Sequence, residues 1–145
     1  MSIYLDSSAL IKLYVPEAES ISVQNYLSGV RGPLWFSQLH ELELKNGLQL
    51  KLFRKETVRR PVGEALKLIN SDLSSGILVR PPLNWPEVFE CAVSLANRYS
   101  ASNGCRSLDL LHVASAILLQ TTAFLTFDTR QAVAAAKAGV QLVRF

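Results

Sequence analysis

Short apolar runs alternate with longer amphipathic stretches from one end of the chain to the other. "SIYLD" reads as a strand covered on both faces, because its apolar residues follow one another instead of alternating with polar ones. "SALIKLYV" has helical spacing, with Pro16 as a stop. "EAESISVQNYLSG" predicts a second helix closed by Gly29, and "PLWFS" a second strand. Ser37 is placed to cap the long helix "QLHELELKNGLQLKLFRK". A further helix runs from about Glu56 to Ser75, then "GILVR" makes a third strand, ended by Pro81 and Pro82. Asn84 can cap "WPEVFECAVSLANRYS", with Pro86 tolerated in the first turn. "SNGC" is a turn, "SLDLLHVASAILL" a nearly all-apolar helix and "AFLTF" a fourth strand. "TRQAVAAAKAG" is a helix with a Gly stop, and "VQLVRF" a final strand. This order predicts one domain over residues 1–145, of α/β class: a three-layer α/β/α sandwich around a mostly parallel sheet. Such folds bind ligands beyond the carboxyl ends of their strands.

Three of the four Asp residues stand at positions where that edge is built. Asp6 directly follows the apolar run "SIYL", and Asp128 directly follows "AFLTF". Asp109 lies in the first turn of a helix that is otherwise apolar, where a buried carboxylate costs several kcal/mol unless something compensates it. Each Asp taken singly reads as a helix cap or as a favourable charge at a helix start. Together they suggest more, since Ser7, Ser8 and Thr129 are available to cap in their place. A fourth acid comes from the helix after Ser37. Glu41 and Glu43 project about 200° apart, so they cannot both face one site. Glu43 shares a face with Leu39, Gly47 and Leu50, whereas Glu41 sits beside Lys45 as an i,i+4 pair at the surface. Glu43 is therefore the expected site residue. Carboxylates held close together repel unless a cation neutralises them. Only Arg106 and Arg130 lie near the acids in sequence, so the natural counter-ion is a hard divalent metal.

"YLDSSALIKLY", "SQLHELELKNGL", "RSLDLLHVASAILL" and "FLTFDTRQAVAAAKAGV", in this order, resemble the PIN-domain ribonucleases, and among them the VapC-like toxins of bacterial toxin–antitoxin pairs. Each motif is short; the four in sequence over nearly the whole chain are specific. The resemblance implies an acidic site holding Mg²⁺ or Mn²⁺ on Asp6, Glu43, Asp109 and Asp128. Ser8, two residues after the first Asp, would orient a ligand or water, and Arg106 precedes the third acid. It also implies hydrolysis of RNA phosphodiester bonds, with the ion polarising the phosphate and activating a water. The implied partners are an RNA substrate and a small antitoxin, in a homodimer or a toxin–antitoxin hetero-oligomer. Gly47, where many members have Ala, is a departure that lowers helix propensity by up to about 1 kcal/mol and would permit close packing.

With 49% apolar and 19% charged residues the chain can bury a real core, which excludes general disorder. The apolar stretches are interrupted before they reach membrane-spanning length. There is no basic leader or cleavage site at the N-terminus, and Cys91 and Cys105 lack metal-binding or C-x-x-C spacing. A cytoplasmic protein with reduced thiols is expected. The net charge of +3 permits a polyanionic partner without requiring one. Lys45, Lys51, Arg54, Lys55, Arg59 and Arg60 stand against a single Glu56. That stretch is either a solvated face or a rim that contacts phosphates, in which case Lys51, Arg54 and Lys55, with Arg106, meet the RNA. His112, three residues after Asp109, reads as a hydrogen-bonding core residue, with a metal ligand as the alternative, and His40 as a helix-surface one. Two rival functions remain. A phosphatase-like hydrolase using Asp6 as nucleophile is disfavoured by Ser8, where haloacid-dehalogenase-like enzymes want a second Asp. A non-catalytic RNA- or protein-binding module is disfavoured by the full set of acids. No phosphate-binding Gly-rich motif occurs.

Overall fold

The structure, a computed structural model, describes residues 2–145. In chain order its elements are β1 (Ile3–Leu5), α1 (Ser7–Leu10) continuing as a 3₁₀ turn (Ile11–Leu13), α2 (Ser20–Ser28), β2 (Leu34–Trp35), α3 (Gln38–Phe53), α4 (Arg59–Ser75), β3 (Leu78–Val79), α5 (Trp85–Leu95) running into a π-helical turn (Ala96–Ser100), α6 (Ala101–Asn103), α7 (Ser107–Leu118), β4 (Ala123–Leu125) and α8 (Thr129–Lys137). The α/β class is as expected, and the paired strands run parallel. The residues fall into two compact units, one formed by the chain up to Ser8 with Pro82–Phe145 and the other by Ala9–Pro81. Among the described residues no helix is long and apolar enough to cross a membrane.

In the first unit β1 pairs with β4, with Ile3 opposite Ala123, Tyr4 opposite Phe124 and Leu5 opposite Leu125. All six residues are buried, which is why these runs show no polar alternation. The Tyr4 and Phe124 rings stack with centroids 5.5 Å apart. α7 buries every residue from Leu110 to Ala116, so it has no solvent face along that stretch; α5 and α8 pack against it. The expected final strand is reduced to one parallel bridge between Phe124 and Leu142, with hydrogen bonds from Phe124 N to Gln141 O (2.8 Å) and from Val143 N to Phe124 O (2.9 Å). Every residue from Gln141 to Phe145 is at least partly exposed, so this run lacks the two-sided cover that holds β1 and β4.

In the second unit β2 pairs with β3, with Leu34 opposite Leu78 and Trp35 opposite Val79. Ser37 caps α3 as expected, but His40 is not a surface residue. It is wholly buried at the third helical position, where its Nδ1 accepts from Ser37 N at 3.0 Å and its backbone N–H donates to Ser37 Oγ at 3.4 Å. This is a capping box with His in the place usually held by Glu or Gln. The buried stripe of α3 is Leu39, His40, Leu44 and Leu48; Leu50 is 36% exposed and does not join it. Gly47 needs no exceptional closeness, since a Cβ there would stand 3.8 Å from Ile11 Cδ1, an ordinary contact. α4 begins at Arg59, later than expected, because Lys55 takes a left-handed conformation and Val58 is extended. Lys12 is buried and ion-paired with Glu17 and Glu19.

Candidate active site

The register of β1 on β4 sets the geometry. With Leu5 opposite Leu125, the next residue of each strand leaves the same carboxyl edge, and Asp6 N donates to Leu125 O at 3.1 Å. The Asp6 residue is only 4% exposed. Ser8 Oγ lies 2.7 and 2.9 Å from its two oxygens, and Thr126 Oγ1 donates to Oδ2 at 2.7 Å. Hydroxyl donors of this kind fix the orientation of the carboxylate. The two hydroxyls are themselves held from behind. Ser8 Oγ accepts from Phe127 N at 3.1 Å, and Thr126 Oγ1 accepts from Asp128 N at 3.0 Å.

Asp128 is the N-cap of α8. Its backbone is extended and its Oδ1 accepts from Gln131 N at 2.9 Å. The expectation that Thr129 would cap in its place is thereby corrected: Thr129 is already the first helical residue, one position too late. Capping uses one oxygen of Asp128. The other, Oδ2, lies 3.9 Å from Arg106 Nη2, and Arg106 Nε lies 3.3 Å from Asp109 Oδ2. One exposed guanidinium thus serves two carboxylates, and it is the partner that lets Asp109 stand in the first turn of α7. Gln131 Nε2 completes the cluster by donating to the Asp109 backbone carbonyl at 3.0 Å.

Asp6, Ser8, Asp109, Asp128 and Arg106 are therefore joined within one unit through Thr126 and Gln131. Glu43, Lys51, Arg54 and Lys55 belong to the other. Glu43 is half-buried on α3. Glu41 is a surface partner as expected, 3.5 Å from Lys45 Nζ and 2.9 Å from Arg80 Nη2. Burial pushes its carboxyl up, but Arg80 and Lys45 outweigh that and hold it below the usual range. Lys51 is paired with Glu17 at 3.4 Å and Glu56 at 3.7 Å, whereas Arg54 and Lys55 are exposed. His112 is buried and hydrogen-bonded as expected: its Nδ1 is 2.8 Å from Tyr4 Oη and its Nε2 3.3 Å from Ser7 Oγ. Both cysteines are free thiols. Burial pushes the Cys105 thiol up to about 11, and the charges of Asp109 and Asp128 add to that.

A family model for the PIN domain matches residues 3–137. The chain belongs to the PIN domain family. As a PIN domain it is similar in fold to the crystal structure of FitAcB from Neisseria gonorrhoeae, with 18% identity over 98% of this chain and 96% of that one and a TM-score of 0.65. It is also similar to VapC20 of Mycobacterium tuberculosis, a sarcin–ricin loop cleaving toxin, with 16% identity over 99% and 100% of the two chains and a TM-score of 0.71. No curated protein sequence matches it.

The donor set of this PIN domain suits a hard cation. Among the described residues no three acidic, His or Cys side chains come within reach of one ion. What the fold brings together is a pair, Asp109 and Asp128, already sharing one positive group. A pair suffices for Mg²⁺, which keeps several waters and commonly takes one or two carboxylates.

Two members of this cluster escaped the sequence reading. Thr126 stands in the quoted "TFD", two residues before the acid, where a hydroxyl can turn back onto its neighbours. Gln131 stands in "DTRQ", the Asp-x-x-Gln form of a capping box. Its side chain, however, goes to Asp109 and not to the cap.

Proposed function

We propose that this PIN domain, acting as one domain over residues 1–145, is a metal-dependent endoribonuclease and the toxin of a VapBC-like toxin–antitoxin pair. The observation that carries the reading is the convergence of Asp109 and Asp128 on one positive group, tied through Thr126 to Asp6 at the carboxyl edge of parallel strands. Mg²⁺ or Mn²⁺, when bound, polarises the phosphate and lowers the pKa of a water. Asp109 and Asp128 would hold the ion. On the motif resemblance Asp6, fixed by Ser8 and Thr126, would be the third acid of the site and would engage the ion through one of its waters. Glu43 is assigned as the fourth acid on its helix face and on the motif resemblance. RNA as substrate, a small antitoxin and a homodimeric or hetero-oligomeric state in the cytoplasm rest on that resemblance, together with the likeness in fold to VapC20.

The test is cleavage of a single-stranded RNA with and without Mn²⁺, by the wild-type protein and by Asp6→Asn. Cleavage should require the ion, and Asp6→Asn should abolish it. Mn²⁺ should also raise the melting temperature of the wild type by mass action, and do so less for Asp6→Asn. Persistence of cleavage in excess EDTA, or in nuclease-free Asp6→Asn, would overturn the reading. A phosphorylated Asp6 would instead support the phosphatase, against which stands Ser8 at the position where such enzymes want a second Asp.

A further inference from the structure

Gln131 is wholly buried, yet half of its side-chain amide is unused. Its Nε2 donates to the Asp109 carbonyl and its backbone N–H to Asp128 Oδ1, whereas Oε1 is buried with no hydrogen-bond partner among the described residues. A buried acceptor without a donor costs roughly 1–3 kcal/mol, so native proteins rarely keep one. An amide flip does not remove the problem, because it would set Oε1 against the Asp109 carbonyl. The Asp109 carbonyl stands within α7, where the helix ladder itself supplies a donor, so Gln131 is not needed to satisfy it. The residue therefore does something other than close a hydrogen-bond account. It ties the first turn of α7 to the first turn of α8, the two turns that carry Asp109 and Asp128.

We infer that Gln131 is a positioning residue: its backbone N–H on Asp128 Oδ1 and its side-chain amide on the Asp109 carbonyl set the separation of the two carboxylates that would share a divalent cation. The inference rests on the proposed metal site. A divalent ion held by only two carboxylates depends on their spacing, and groups that fix the ligands from behind are worth roughly 10- to 100-fold in metal affinity. An apolar side chain of the same length would fill the space as well, and would bury no unpaired oxygen.

The experiment compares wild type with Gln131→Met, first by circular dichroism and then by Mn²⁺ binding, followed by electron paramagnetic resonance of the free ion. The Met variant should fold, because it removes a buried orphan and nearly conserves volume. Its Mn²⁺ affinity should nevertheless fall roughly tenfold or more. In RNA cleavage its kcat should drop, with KM for RNA little changed. A Gln131 that merely fills the core would leave the Mn²⁺ affinity unmoved, and equal binding by the two proteins overturns the inference while sparing the metal site. Failure of the wild type to bind Mn²⁺ overturns both. Should Gln131→Met not fold, Mg²⁺ titration of the wild type by NMR decides. The Gln131 side-chain amide resonances should shift together with the Asp109 and Asp128 amides, and an unmoved Gln131 amide refutes the role.

Discussion

Thr126 donates its hydroxyl to Asp6 at 2.7 Å, joining residues that stand 120 positions apart. The same oxygen accepts from Asp128 N, so one small side chain orients one acid and anchors the backbone of another. Thr126→Val keeps the shape and removes both bonds. It should cost about 1–3 kcal/mol of stability, because a partly buried N–H and carboxylate oxygen lose their partner. Cleavage should fall roughly tenfold or more, as when groups supporting metal ligands are lost. Thr126→Ser should recover most of both. Melting curves and single-turnover rates on the three proteins check this; a fully active Val variant would contradict it.

Glu43→Gln should lower cleavage by roughly a hundredfold or more, the scale of a group engaged in the chemistry. Glu41→Gln should not, because Glu41 is held at the surface by Arg80 and Lys45. Its loss should cost less than about 1 kcal/mol. Parallel rate measurements decide, and equal losses would mean that the helix face was chosen wrongly.

Arg106 should show opposite effects on two ligands. In the metal-free protein it neutralises Asp109 and Asp128, so a divalent cation must displace it. Arg106→Ala should therefore bind Mn²⁺ several-fold more tightly and bind RNA more weakly, with a shallower dependence on salt. The stability change should stay within about 1 kcal/mol, since Arg106 is 74% exposed. Calorimetric titration of Mn²⁺ and filter binding of RNA over a salt series read the two effects separately. Weaker Mn²⁺ binding would show that Arg106 supports the ion instead of competing with it.

The Lys12 cluster should make stability depend on pH at both ends. Burial alone would lower the Lys12 pKa, but Glu17 and Glu19 outweigh it and the value rises above 10.5. Burial alone would raise that of Glu17, but Lys12 and Lys51 outweigh it and the value falls below 4.5. The Glu17 contribution is therefore complete above about pH 4.5 and is lost as pH falls further. The Lys12 contribution is complete below about pH 10.5 and is lost as pH rises beyond it. Urea unfolding of wild type and Lys12→Met at pH 3, 7 and 11 should show the largest difference at pH 7. A difference that does not vary with pH would remove the cluster from the account.

The periodicity of the chain was enough to place most elements because β1 and β4 are covered on both faces and several helices end at Gly, whereas the final run lacks that cover and is only a bridge. The Asp residues at strand ends and at a helix start were legible for the same reason, since position along an element determines which edge a side chain leaves. Partners were much less legible. Nothing in the local pattern of "SQLHELELKNGL" distinguishes an exposed His40 from one turned inward to complete a cap. Lys51 read as a free cation, and Arg106 only as a neighbour of Asp109, because a longer-range ion pair depends on groups brought near by folding, Glu17 for the one and Asp128 for the other. Asp128 shows the third kind of shortfall. A cap and a site acid were treated as alternatives, but a carboxylate has two oxygens and here each takes a different role.

The bond between Asp6 and Thr126 also bears on biosynthesis. A chain is made from its N-terminus, at about 5–20 residues per second. Asp6 emerges more than a hundred residues before the hydroxyl that orients it, and the cap of α8 and the Gln131 amide also arrive only after β4 has been added. An incomplete chain thus carries the first acid without the frame that gives it a fixed direction. For the proposed ribonuclease, made on machines of RNA, this order delays activity until β4 and the start of α8 have been added.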